Sequence, residues 1–91
     1  MAAAEDSPQP RRGTGVRFPV YRQLNDGRHF YRIESAVGFT EIQMVGGRGV
    51  VHRVDASAYP EQLRIQDMID GMGGRYLPLE AGEWERRWSA I

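Results

Sequence analysis

Short runs of alternating hydrophobic and polar residues follow one another from residue 17 onward. They cover residues 17–24, 28–34, 39–45 and 48–54. Asn25-Asp26-Gly27 separates the first run from the second, and Gly46-Gly47 separates the third from the fourth. Such residues favour tight hairpin turns because glycine adopts positive φ without strain. Short strands with closely spaced turn signals predict an antiparallel meander of four strands. Pro19 near the start of the first run favours an edge position for that strand.

The pattern changes to helical spacing after the fourth run. A first helix is predicted to begin at Tyr59-Pro60, because proline suits the first helical turn, and to end at the glycines from Gly71 onward. Residues 75–77 allow a short fifth strand, and a last helix is predicted from about residue 79 or 80 to 89. The apolar stripe of the first helix contains Ile65, Met68, Ile69 and Met72, and that of the second contains Trp84, Trp88 and Ile91.

These elements predict an α+β fold, with a four-stranded antiparallel β-meander, room for a short fifth strand, and two α-helices packed on one face. Residues 16–91 are expected to form this single small domain. Residues 1–15 are rich in Ala, Pro and Gly and have little to bury, so we expect a disordered N-terminal tail there.

Strand alternation divides the predicted sheet into two faces. The face that we expect to be the core contains Phe18, Val20, Leu24, Tyr31, Ile33, Ile42, Met44, Val50 and Val54. Arg22 and His52 interrupt the apolar pattern on that face, which allows a bulge or a shifted register. The opposite face contains Tyr21, Phe30, Arg32, Phe39, Glu41, Gln43, Val51 and Arg53.

The opposite face carries the candidate partner-binding residues, because it mixes aromatic side chains with arginines. Aromatic residues and Arg are enriched at protein interfaces, so we expect a protein partner or a second copy of the chain to bind there. Two alternatives remain open: the face is internal packing, or it stacks bases and contacts phosphates of a nucleic acid. The candidate residues are Tyr21, Phe30, Arg32, Phe39 and Arg53.

The second apolar stripe also allows two interpretations. Trp84, Trp88 and Ile91 either dock the last helix onto its own sheet or anchor it in another subunit.

Charge weakens the nucleic-acid alternative without removing it. All twelve basic residues are Arg, and twelve acidic residues bring the formal net charge to zero. Residues 16–54 have six Arg against three acids, and residues 55–91 have four Arg against seven acids. The first part is therefore basic and the second acidic, but a nucleic-acid-binding domain is usually basic overall.

Little in the sequence indicates catalysis. The chain has no Cys and only two His, so we expect no metal and no cofactor. Were it an enzyme, His29, His52, Glu34 and Glu41 would be the residues to test. No apolar run approaches the roughly 20 residues that span a bilayer, and the N-terminus lacks the apolar region of a secretory signal. We therefore expect a non-catalytic interaction protein of the cytoplasm.

Overall fold

A computed structural model describes residues 16–91, and its elements are those of an α+β domain. The strands are β1 (Val20–Leu24), β2 (His29–Ser35), β3 (Gly38–Val45), β4 (Arg48–Asp55) and β5 (Tyr76–Pro78), and the helices are α1 (Tyr59–Asp70) and α2 (Ala81–Ser89). A 3-10 turn at Met72–Gly74 leads from α1 into β5. The predicted α+β class, the antiparallel meander and the short fifth strand are confirmed.

The five strands form one antiparallel sheet in the order β4-β3-β2-β1-β5. β5 pairs with the second half of β1, from Arg22 opposite Pro78 to Leu24 opposite Tyr76. β1 is therefore an inner strand, and the prediction that Pro19 places it at an edge is wrong. Pro19 precedes the strand, so its missing N–H removes no hydrogen bond from the β1–β5 ladder.

The register between β2 and β3 decides which side chains share a face. Beside the turn, Ser35 lies opposite Gly38, but an irregularity between Ile33 and Ser35 shifts the pairing, so that Ile33 lies opposite Phe39. If the Ser35–Gly38 pairing continued along both strands without this bulge, every β3 side chain would lie on the other face of the sheet. The predicted faces of the sheet were wrong for this reason. Phe39, Glu41 and Gln43 belong with Tyr31 and Ile33, whereas Ile42 and Met44 belong with Phe30.

Because of this register, the sheet is apolar on both faces, and each face is covered by one helix. On one face Ile65 and Met68 of α1 pack against Tyr31, Ile33 and Phe39, all of which are buried. On the other face Trp84 of α2 packs against Phe30 and Ile42, which are also buried. The prediction that both helices pack on one face is therefore wrong.

Arg22 explains the polar interruption in the apolar face of β1. Its Nε donates a hydrogen bond to the Met68 carbonyl oxygen at 3.0 Å, and its second terminal nitrogen donates to the Ile69 carbonyl at 2.9 Å. These carbonyls belong to the last turn of α1, where helix carbonyls lack intrahelical partners and the helix dipole favours a cation. Arg22 thereby ties the end of α1 to the sheet.

The predicted tail, residues 1–15, lies outside the described residues. Within residues 16–91, no helix is long and apolar enough to cross a membrane.

Substitution of Trp84 should show that the face covered by α2 is a buried hydrophobic core. Trp84 is 1% exposed, so we expect Trp84→Ala to lower the free energy of unfolding by about 3–5 kcal/mol. Trp88 is 38% exposed, and Trp88→Ala should cost clearly less. Urea unfolding followed by circular dichroism measures both changes, and equal effects of the two substitutions would contradict the placement of α2.

Removal of the Arg22 guanidinium should destabilise the domain. A partly buried charge costs desolvation energy, but the carbonyls that it binds would lose their hydrogen-bond donors. Arg22→Met leaves the Met68 and Ile69 carbonyls without their donors, and we expect a loss of about 2 kcal/mol. Arg48→Met is the control, because Arg48 is exposed on β4 and should change stability by less than about 0.5 kcal/mol. A similar loss in both variants would show that the carbonyl contacts contribute little.

Candidate functional site

The five candidate residues do not lie on one accessible surface. Tyr21, Phe30, Arg32 and Arg53 face α2, whereas Phe39 lies on the opposite face beneath α1. Phe30 and Phe39 are each 1% exposed, so both aromatic rings are core side chains in this structure. Tyr21 is partly buried, with its ring centroid 6.2 Å from that of Trp84. The arginines are the members of the set that reach the surface.

Arg87 of α2 adds a cation to the covered part of the face. Its guanidinium carbon lies 3.8 Å from the centroid of the Phe30 ring, and its Nε lies 3.0 Å from the Glu83 carboxylate. A guanidinium over an aromatic face is attracted by the ring's negative face. The aromatic–arginine pairing that the sequence suggested for a partner is therefore made within the chain at Phe30.

Arg32 and Arg53 open instead into a shallow groove between the sheet and the end of α2. The groove has a volume of about 160 Å³. We call it the arginine groove, and its lining residues are Arg32, Thr40, Arg53, Trp84, Glu85 and Trp88. β2, β3 and β4 supply its floor, because Arg32, Thr40 and Arg53 lie directly opposite one another across these strands.

Trp88 forms the wall of the arginine groove. Its ring stacks on that of Trp84, with 6.0 Å between the centroids and 18° between the planes. The Arg53 guanidinium carbon lies 5.8 Å from the Trp88 centroid. Trp84 is buried and holds the stack in place, so Trp88 presents a fixed aromatic surface beside a cation.

The polar atoms on the floor are only partly satisfied. Thr40 is buried, and its hydroxyl donates to the Glu34 carboxylate at 2.7 Å and accepts from Arg53 at 3.4 Å. The Arg32 side chain is 42% exposed and lies 3.9 Å from Glu34, which is beyond hydrogen-bond distance. Among the described residues, Arg32 Nε and Arg87 Nε are buried donors without a hydrogen-bond acceptor.

The residues named for possible acid–base chemistry are divided between the two faces. Glu34 lies on the α2 side, whereas His29, Glu41 and His52 lie on the α1 side. His52 Nε2 lies 2.9 Å from the Gln43 side-chain oxygen. Glu34 and Glu41 are therefore separated by the sheet.

His29 lies in a second cleft, beside the turn between β1 and β2. Its Nδ1 is 3.0 Å from the Asp26 carboxylate, and its Nε2 is 3.8 Å from Glu41. This cleft has a volume of about 340 Å³, and its lining also includes Tyr31, Arg64, Arg75 and Tyr76. No group of three or more His, Cys, Asp or Glu side chains suited to a metal ion occurs within residues 16–91.

Asp26 organises the turn at the edge of this cleft. Its carboxylate accepts a hydrogen bond from the backbone N–H of Arg28 at 2.8 Å, and this bond, with the nearby His29 and Arg28, lowers the pKa of Asp26. The sequence predicted Asp26 only as a turn residue. Its spacing of three residues before His29 was the signal for this contact.

Four lining residues of the arginine groove were not among the predicted binding residues, namely Thr40, Trp84, Glu85 and Trp88. Trp88 was noted in the stripe of the last helix, but its position beside Arg53 depends on α2 crossing the face opposite α1. Thr40 would have been found with the correct register, since it lies between Arg32 and Arg53 in the sheet.

Comparison with family models, with curated proteins and with solved structures finds no match to this chain.

The buried phenol of Tyr31 should make stability fall at high pH. Burial, with the Glu41 carboxylate nearby, raises the pKa of Tyr31 to about 12 from its ordinary value near 10. Between these values the unfolded chain releases the proton while the folded chain keeps it, so the free energy of unfolding decreases as pH rises from about 10 to about 12.

Tyr31→Phe should flatten this decrease, because the phenylalanine has no proton to release. Urea unfolding in steps from about pH 9 to about pH 11.5 measures the slope in each chain. Tyr59→Phe is the control, because Tyr59 is 70% exposed. An unchanged pH dependence in Tyr31→Phe would mean that other groups cause the decrease.

Proposed function

We propose that this chain is a non-catalytic interaction protein, and that its arginine groove binds a carboxylate of a protein partner. The observation that carries the proposal is the convergence of Arg32 and Arg53 beside the exposed face of Trp88. Guanidinium groups bind carboxylates through paired, charge-assisted hydrogen bonds.

The donors in the groove are suited to an incoming acceptor. The Arg32 side chain is 42% exposed and its terminal nitrogen lies 3.9 Å from Glu34, too far for a hydrogen bond. The Arg53 contact with the Thr40 hydroxyl is long at 3.4 Å. A partner carboxylate would offer both arginines a stronger acceptor than they have within the chain. Trp88 would cover the aliphatic part of the incoming Asp or Glu side chain and exclude water from the hydrogen bonds.

The groove also contains acids, which limits what it can bind. Glu34 holds the Thr40 hydroxyl, and Glu85 lies at the rim. These two carboxylates balance the two guanidiniums in formal charge, so a densely charged polyanion gains little. A single carboxylate placed between the arginines fits the groove better than a nucleic-acid backbone does.

A tetraglutamate peptide with blocked ends is a suitable probe, and tetraglutamine with the same ends is its neutral control. We expect the acidic peptide to shift the NMR signals of the Trp88 indole N–H and of the Arg32 and Arg53 Nε–H groups. Arg32→Gln and Arg53→Gln should each weaken binding about tenfold, as expected for the loss of a charged hydrogen bond. Arg48→Gln, which removes the same charge at the other end of β4, should have little effect.

Equal weakening by all three arginine substitutions would reduce the result to general charge attraction and contradict the proposal. Binding of a single-stranded oligonucleotide at the same signals, with an affinity that falls steeply as salt rises, would favour the nucleic-acid alternative.

A further inference from the structure

β4 is a long and regular strand at the edge of the sheet. It spans Arg48–Asp55, and within the described part of the chain only β3 pairs with it. The β3–β4 register runs without a bulge from Gly38 opposite Asp55 to Val45 opposite Arg48, and β4 contains no proline. Edge strands of monomers are usually short, bulged, charged or interrupted by proline, because their free N–H and C=O groups can pair with another chain. β4 has charged residues at its two ends, Arg48, Arg53 and Asp55, but its centre at residues 49–51 is uncharged. The other edge, β5, has three residues and ends at Pro78.

Apolar side chains flank β4 on both faces of the sheet. On the α1 side Val50 is 39% exposed. On the α2 side Gly49 leaves room for Ile91, since a Cβ at Gly49 would lie only 3.0 Å from Ile91 Cγ1. Ile91 is 57% exposed and Trp88 is 38% exposed, although both belong to the apolar stripe of α2. The stripe therefore extends past its own sheet toward the β4 edge.

We propose that β4 pairs with β4 of a second copy of this chain, antiparallel and around a two-fold axis at Val51. The partner is a second copy because the uncharged centre of the edge can pair with itself in this register without bringing like charges together. Arg53 then lies opposite Gly49 of the second copy, and Val50 opposite His52 of the second copy. No charged side chain lies opposite one of the same sign, and residues 48–54 of both copies pair.

Symmetry limits the alternative registers to those with a residue on the axis. Along an antiparallel ladder every second residue forms the hydrogen bonds, so two identical strands can pair only when opposite residues differ by an even number, which places one residue opposite itself. An axis at Arg53 would place the two Arg53 guanidiniums opposite each other. An axis at His52 would place Asp55 opposite Gly49, beside the apolar Ile91. Both arrangements cost energy that the axis at Val51 avoids.

The register at Val51 also brings the two exposed parts of the α2 stripes together. Within each copy, Ile91 lies over Gly49 and Trp88 lies beside Arg53. In this register Gly49 of one copy lies opposite Arg53 of the other. Ile91 of each copy thus approaches Trp88 of the other, on either side of the paired Val51 side chains. The result is a continuous ten-stranded sheet, with both α2 helices on the same face and both arginine grooves open in the same direction.

Single cysteines test the register, because the natural chain has no Cys. Val51→Cys places two thiols opposite each other across the axis, within the distance that a disulfide spans. Val50→Cys is the matched control. In that variant the two thiols would be offset by two residues along neighbouring strands, so the Cα atoms that carry them would lie about 8 Å apart, beyond that distance.

Under mild oxidation we expect the full-length Val51→Cys chain to become a covalent dimer and the Val50→Cys chain to remain uncrosslinked. In sedimentation equilibrium the unsubstituted chain should show twice its mass of 10.3 kDa. A monomer throughout a micromolar concentration series would overturn the proposal, as would a dimer that crosslinks equally through both positions or through Val50→Cys alone.

Arg32→Gln separates this proposal from the function proposed for the groove. Arg32 lies on β2, two strands away from the edge, so its substitution should leave the dimer mass unchanged while it weakens binding of the acidic peptide. If the peptide fails to bind and the chain is still dimeric, only the groove proposal fails. If the peptide binds a monomer, only the β4 pairing fails.

Discussion

The one-residue irregularity between Ile33 and Ser35 determines most of this architecture. It places Phe39 beside Tyr31 and Ile33 on one face and leaves Ile42 beside Phe30 on the other. Both faces of the central strands are then strongly apolar, and a sheet of this kind is stable only when both are covered. α1 covers one face and Trp84 of α2 covers the other. The arginine groove exists because α2 is too short to cover the whole of its face.

The two helices are attached to the sheet by different contacts, and they cover their faces to different extents. α1 is fixed by buried Ile65 and Met68 and by Arg22, whose guanidinium holds the helix carbonyls. α2 is fixed mainly by Trp84, with Arg87 over the Phe30 ring as a second contact. Its last turn extends beyond this anchor, so that Trp88 and Ile91 remain exposed beside β4. The more weakly covered face therefore contains the arginine groove, and its exposed Trp88 and Ile91 extend toward the β4 edge.

The sequence was sufficient to predict the elements because their signals are local. Turn glycines, the Tyr59-Pro60 start of α1 and the spacing of the two helical stripes each depend on a few neighbouring residues. The faces of the sheet depend on pairing between strands, and one extra residue in β2 reverses the face of every side chain in β3. Phe39 was for this reason assigned to a partner-binding surface although it is core, and Thr40 was overlooked. Arg22 looked like a defect in the apolar pattern because its acceptors, the carbonyls of α1, carry no signal in the side-chain pattern.

The same lesson applies to the aromatic–arginine pattern that first suggested an interface. Phe30 and Arg87 show that a chain can satisfy such a pattern within itself, whenever a helix delivers the guanidinium to the ring. Arg53 and Trp88 repeat this pairing at the surface, where the guanidinium keeps donors free for an additional acceptor. The distinction between packing and binding therefore lies in whether the donors still reach solvent rather than in residue types. By that criterion the groove arginines Arg32 and Arg53 and the β4 backbone are the parts of the described chain that offer donors to a partner. The partners differ, because the arginines suit a carboxylate and the edge suits an extended strand.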